Sequence, residues 1–112
     1  MKAVYVQRGE SIDYTPTSAS VSAGDVVAIS ATGPLFGIAK LDIAKDELGA
    51  LALKGIYDIA KLKDDVVAIG AIIYWDGTAG TATVTEGALK RIGIAVAASA
   101  KADTVVRVLL NA

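Results

Sequence analysis

Asp25-Val26-Val27-Ala28-Ile29 recurs, 40 residues on, as Asp65-Val66-Val67-Ala68-Ile69. Each copy is a short β-branched run of strand length. The first follows the turn signal Ala23-Gly24-Asp25, the second the charged turn Lys61–Asp65. A second echo, Gly37-Ile38-Ala39 against Gly93-Ile94-Ala95, spans 56 residues (37 to 93). Together the echoes predict two related β units in one small domain. The unequal spacing assigns about 16 extra residues to the second unit, over the excursion from Ile72 to Glu86.

Working outward, short apolar runs alternate with Gly, Asp and Pro punctuation. Strands are expected at Ala3–Val6, Ser11–Thr15, Val26–Ser30 and Leu35–Ala39, with a turn at Thr32-Gly33-Pro34. Further strands are expected at Ile56–Ile59, Val66–Ile69, Ala71–Trp75, Thr81–Thr85, Arg91–Ala97 and Thr104–Leu110. Asp76-Gly77 is a tight-turn signal, because Gly accepts positive φ. Lys40–Leu48 carries helix formers, with Leu41, Ala44 and Leu48 on one face and Gly49 as a stop. The competing reading is a turn there, followed by a strand over Glu47–Leu53. Many short strands without long helical patterns give an all-β fold, a small compact β-barrel or sandwich with little helix. The organisation expected is a single domain, with residues 1–20 as an extended N-terminal strand or arm and residues 21–112 as the β body.

Composition narrows the function. The chain has 112 residues, enough for one core. Hydrophobic residues make up 54% and aromatics only 5%, so the apolar content is mostly Ala, Val, Ile and Leu. Either part of it lies in a subunit interface, or abundant Ala inflates the fraction. Eleven basic and twelve acidic residues are scattered, with a net charge of −1, so no basic footprint for nucleic acid is present. The longest apolar run, Val66–Trp75, is about half a membrane span, and the N-terminus lacks an apolar signal core. The expectation is a soluble protein with neither nucleic acid nor membrane as partner.

The sequence contains no histidine and no cysteine. That excludes Ser-His and Cys-His nucleophiles, disulfides and Cys-based metal sites. Asp64-Asp65 and Asp46-Glu47 are the adjacent acidic pairs, and neither sits in the alternating spacing of a calcium loop. Gly77-Thr78-Ala79-Gly80 lacks the Lys-Ser/Thr ending of a phosphate loop. Lys90-Arg91 reads as a solvent-facing basic pair. Tyr74 and Trp75 are adjacent on one strand and so point to opposite faces. They read as core or as an oligomer or partner interface, with glycan stacking as the alternative. No catalytic residue, cofactor or metal is expected.

Three stretches, in order, carry a resemblance. They are Ala23-Gly24-Asp25-Val26-Val27, then Glu47–Ile59 (ELGALALKGIYDI), then Tyr74-Trp75-Asp76 with Arg91–Ala97 (RIGIAVA) and Val106–Asn111 (VRVLLN). This set resembles the phage capsid cement, or head decoration, family, with its Gly-Asp-Val-Val strand, Tyr-Trp-Asp turn and closing Val-Arg-Val. Asp64-Asp65 departs from the Gly-Asp frequent in that family. The resemblance implies a small β protein of a phage or prophage, made in the host cytoplasm and carried on the outer capsid surface of the virion. Such proteins act as homotrimers that bind the major capsid protein at local symmetry axes and clamp the shell. The family implies no catalytic residues. The capsid-facing part is expected in the arm, residues 1–17, with Tyr5, Arg8 and Tyr14 as anchors. Deleting residues 2–15 is then expected to abolish capsid binding and leave a folded oligomer. The alternative function is a small β-barrel module that binds a glycan or other ligand through Tyr74 and Trp75.

Overall fold

The alternating apolar runs fold into nine short strands in two antiparallel sheets, in a computed structural model that describes residues 3–5, 9–30 and 32–112. The first sheet contains β1 (Ser11–Tyr14), β2 (Val26–Ala28), β3 (Phe36–Ala39) and β4 (Gly49–Ala52), in the order β1-β4-β3-β2. The second contains β5 (Ile56–Ala60), β6 (Ile72–Asp76), β7 (Thr81–Thr83), β8 (Lys90–Ala95) and β9 (Val105–Leu110), in the order β5-β9-β8-β6-β7. The fold is all-β, and no helix occurs among the described residues. The chain divides into two compact units, residues 1–27 with 37–54, and residues 28–36 with 55–112.

In the first unit β4 lies between β1 and β3, with Ile12 opposite Leu51 and Leu51 opposite Ala39. Leu51, Ala39 and Ile43 are all buried. Gly49 is required by close approach, since a Cβ there would lie 2.6 Å from the Ile43 Cδ1. The segment 40–48 is a turn, not a helix. Ile43 exchanges both backbone hydrogen bonds with Val21 at 2.8 Å, which removes the groups a helix would use. Asp46 then adopts φ 66° and donates its N–H to the Pro16 carbonyl.

In the second unit β9 is the organising strand. Val106, Val108 and Leu110 are buried while Val105, Arg107 and Leu109 face out, the period of two expected of a half-buried strand. Ile59, Ile73, Ala82, Ile92 and Ala95 are buried with them. β5 runs on into Lys61, which bridges in parallel to Ala82 of β7, and the Leu62 N–H donates to the Ala82 carbonyl at 2.9 Å. That single bridge joins the two ends of the strand order at one point, short of a closed barrel.

The two sheets share one plan. The order β1-β4-β3-β2 is repeated as β5-β9-β8-β6, with β7 added at the edge. The hydrogen bonds correspond in detail. Gly24 donates to the Ala39 carbonyl and Gly70 to the Ala95 carbonyl, both glycines being left-handed at φ 91° and 87°. Ala39 donates back to Asp25, and Ala95 to Ala71. The bridge Val21–Ile43 answers to Val67–Ser99, and the bond from Leu53 to Glu10 answers to that from Leu110 to Gly55. Gly37-Ile38-Ala39 and Gly93-Ile94-Ala95 therefore occupy the same place in the two sheets.

The Asp-Val-Val-Ala-Ile echo does not. The counterpart of Asp25 is Ala71, and the counterpart of Val26-Val27 is Ile72-Ile73. The spacing rises from 46 (Gly24 to Gly70) to 56 (Ala39 to Ala95), so the insertion carrying β7 has 10 residues, not 16. Val66–Ile69 is not a strand. Only Val67 pairs, while Val66 and Ile69 are exposed. The segment ends in a turn, with the Ala71 N–H donating to the Ala68 carbonyl at 3.1 Å around left-handed Gly70, and it begins at the buried Lys61, which donates from Nζ to the carbonyls of Leu62 (3.1 Å), Lys63 (3.2 Å) and Asp65 (2.6 Å). Those carbonyls curl around the ammonium and cannot join a ladder. Ala3–Tyr5, also expected as part of a strand, is not in a strand, and Val6 lies outside the described residues.

Candidate functional site

The aromatic candidates are spread across the chain. Tyr5 is 79% exposed. Tyr14 ends β1, opposite Gly49, and is half-buried. Arg8 lies outside the described residues. Tyr74 and Trp75 are both half-buried in β6, between β8 and β7, opposite Arg91 and Lys90 on one side and Thr83 and Ala82 on the other. They form no joint stacking platform. Trp75 instead borders a cavity of about 430 Å³ with Ile29, Phe36, Leu89 and Lys90. Of the expected anchor set Tyr5, Arg8 and Tyr14, the structure places Tyr5 and Tyr14.

The polar candidates serve the fold. The Asp65 carboxylate accepts the Thr83 hydroxyl at 2.6 Å and the Val84 N–H at 3.1 Å, fastening the loop to the end of β7. The Asp76 Oδ1 accepts the N–H groups of Thr78 and Ala79, closing the turn its sequence signalled. The Arg91 Nε donates to the Ala112 carbonyl at 2.8 Å, while Lys90 is exposed. Among the described residues, no group of three or more acidic side chains gathers to hold a metal ion.

One ion pair is well formed. Arg107 of β9 donates from Nε and Nη2 to the two carboxylate oxygens of Asp58 in β5, at 3.0 and 3.2 Å. That hydrogen bond holds the Asp58 carboxyl below its ordinary value. Burial opposes the shift and the Arg107 charge assists it. A lowered folded-state value means the stabilisation is present above the unfolded carboxylate range, near pH 4, and is lost as pH falls through the folded value. Both side chains are about half exposed, so the effect is small. Asp58→Asn is expected to melt slightly below wild type at pH 7 and together with it at pH 2, as measured by thermal denaturation.

The surfaces most able to bind are ones single residues did not announce. Leu41 and Leu48 stand exposed on the first unit, beside a cavity of about 490 Å³ bordered by Lys40, Asp42 and Glu47. On the second unit Ile56, Ile72 and Leu109 are exposed. A sequence signal for these existed. Ile72-Ile73 and Leu109-Leu110 put apolar residues on both phases of a strand, so each of these strands carries apolar residues on both faces.

These features describe a β body with apolar outer surfaces and fold-serving polar groups. The family model for phage cement protein matches residues 6–110. A search of the curated proteins finds no match. Among solved structures, the head fiber gp8.5 N base of bacteriophage phi29 is similar at 16% identity and a TM-score of 0.48, over 88% of this chain and 93% of that chain. That likeness is too slight to carry an assignment, which rests on the family match. The chain belongs to the phage cement protein family and is a structural protein of the phage virion.

Proposed function

We propose that this protein decorates the outside of a phage head as a homotrimer, binding the major capsid protein at local symmetry axes and stabilising the shell without catalysis. The observation that carries this reading is the family match over residues 6–110. The exposed apolar residues of both units support it, since a cement works through surfaces. A trimer engages several capsid subunits at once, so individually weak contacts suffice.

The N-terminal residues are the proposed capsid grip, with Tyr5 and Arg8 as anchors and Tyr14 contributing from β1. Tyr74 and Trp75 contribute to an interface through the parts of their rings left exposed. Because Ser11–Tyr14 is hydrogen-bonded into the first sheet, deleting residues 2–15 would remove β1 as well. The informative truncation removes residues 2–8. Purified protein is mixed with expanded shells that lack it, and the bound fraction is measured by co-sedimentation. The truncated chain is expected to keep its β circular-dichroism spectrum and bind about 100-fold more weakly, the scale of a lost multivalent contact. Undiminished binding would remove the grip from the N-terminus.

A further inference from the structure

We propose that the solvent-facing side of the second sheet is the surface through which copies of this chain meet. This deepens the trimer reading above and rests on it.

The register draws the surface. Ile72 of β6 stands opposite Ile94 of β8, Ile94 opposite Leu109 of β9, and Leu109 opposite Ile56 of β5. Directly paired residues share a face, so four large aliphatic side chains form one row across four strands. Ile56 is 58% exposed, Ile72 41% and Leu109 39%, and Ile94 is half-buried. The next row holds Asp58 and Arg107, and the one beyond it Ala60 and Val105, both exposed. Over these rows Asp58 and Arg107 are the charged residues, and beyond Ile72 the face passes to Tyr74, paired with Arg91.

The first sheet supplies an internal comparison. Its equivalent row is Val26, Ile38, Ala52 and Ser11, by the correspondence of the two strand plans. There Ile38 and Ala52 are buried by the chain itself, and the edge position is the polar Ser11. The same architecture can therefore carry a covered row. In the second sheet the residues are larger and more apolar, and the chain leaves them open.

Charge indicates the occupant. Asp58 and Arg107 neutralise each other at 3.0 Å, so the rows from Ile56 to Ala60 carry no net charge and offer an acid beside a base. Around a three-fold axis the acid of one copy meets the base of the next, and no charge is left unmatched. Interfaces between permanently associated copies are the more apolar kind. A surface reserved for the capsid has to stay soluble until the shell is met, whereas one covered by another copy does not.

The test transplants the first half into the second. Ile56→Ser with Leu109→Ala installs the residues of the covered row, and Ile72→Lys adds a charge to the open one. Val66→Lys, at an exposed loop position outside the row, is the control. Sedimentation equilibrium reads the mass against the 11.4 kDa monomer, and circular dichroism confirms folding. Wild type and the control are expected to associate, while both second-sheet variants dissociate at least about 30-fold more readily, as for loss of a central anchor. Oligomers that persist in both folded variants overturn the assignment of this face and leave the trimer reading standing. A wild-type chain that stays monomeric at every concentration overturns both. A monomeric wild type whose variants lose binding to shells identifies the occupant as the capsid protein instead.

Discussion

Gly93→Ala is expected to destabilise the protein by about 3 kcal/mol, the upper part of the overpacking range. Gly93 lies in β8, between β9 and β6, opposite Leu110 and Ile73. A methyl group there would run into the Leu109 carbonyl oxygen and stand 2.8 Å from the Val108 Cγ1. Neither obstacle is the free end of a flexible side chain. The carbonyl belongs to the neighbouring strand, so relief requires parting β8 from β9 at the centre of the sheet. A domain of this size has about 5–15 kcal/mol in total, so the loss is a large share. At 4–8 °C per kcal/mol, melting should fall by roughly 15 °C. A shift of only a degree or two would mean the strands are not this close.

Lys61→Met is the second large effect, expected at about 2 kcal/mol. An ammonium has three N–H groups, and here each has its own carbonyl, from Leu62, Lys63 and Asp65. The charge is taken from water, with Lys61 only 5% exposed, and is compensated by those dipoles. Methionine keeps the length and apolar stem but leaves three carbonyls without a donor. Hydrogen bonds to a charged group contribute about 1.5–3 kcal/mol, which sets the estimate. The damage should be local first. The loop also holds Asp65 against Thr83 and Val84, so amide exchange is expected to quicken over residues 62–69 and at β7 before the rest of the sheet. Wild-type exchange in that loop would show that Lys61 does not organise it.

These two positions also explain which parts of the fold the sequence exposed. Strands such as Val105–Leu110 and Lys90–Ala95 were legible, because apolar residues at alternate positions have few other ways to be buried. The turn at Asp76-Gly77 was legible because its chemistry is local. Residues Asp65–Ile69 misled, since they match a true strand in composition. Their conformation is decided by the Lys61 side chain and by left-handed Gly70, neither of which lies within the motif. Lys40–Leu48 misled in the same way, through the distant Val21. The paired units were legible from Gly37-Ile38-Ala39 and Gly93-Ile94-Ala95, whereas the longer echo gave the wrong alignment.

The candidate surface was less legible than the fold. Aromatic and charged residues drew notice to Tyr5, Tyr14, Tyr74 and Trp75. The apolar row of the second sheet is assembled from Ile56, Ile72, Ile94 and Leu109, which come from four separate strands. Only the register brings them into line, and register is fixed by hydrogen bonds between segments far apart in the chain.

The most direct test of the account is electron microscopy of phage heads made with and without this protein. The account predicts difference density on the outer surface, in clusters of three copies at local symmetry axes, each fitted by the two β sheets. Heads that show no difference density, or density confined to the interior or the tail, would contradict it.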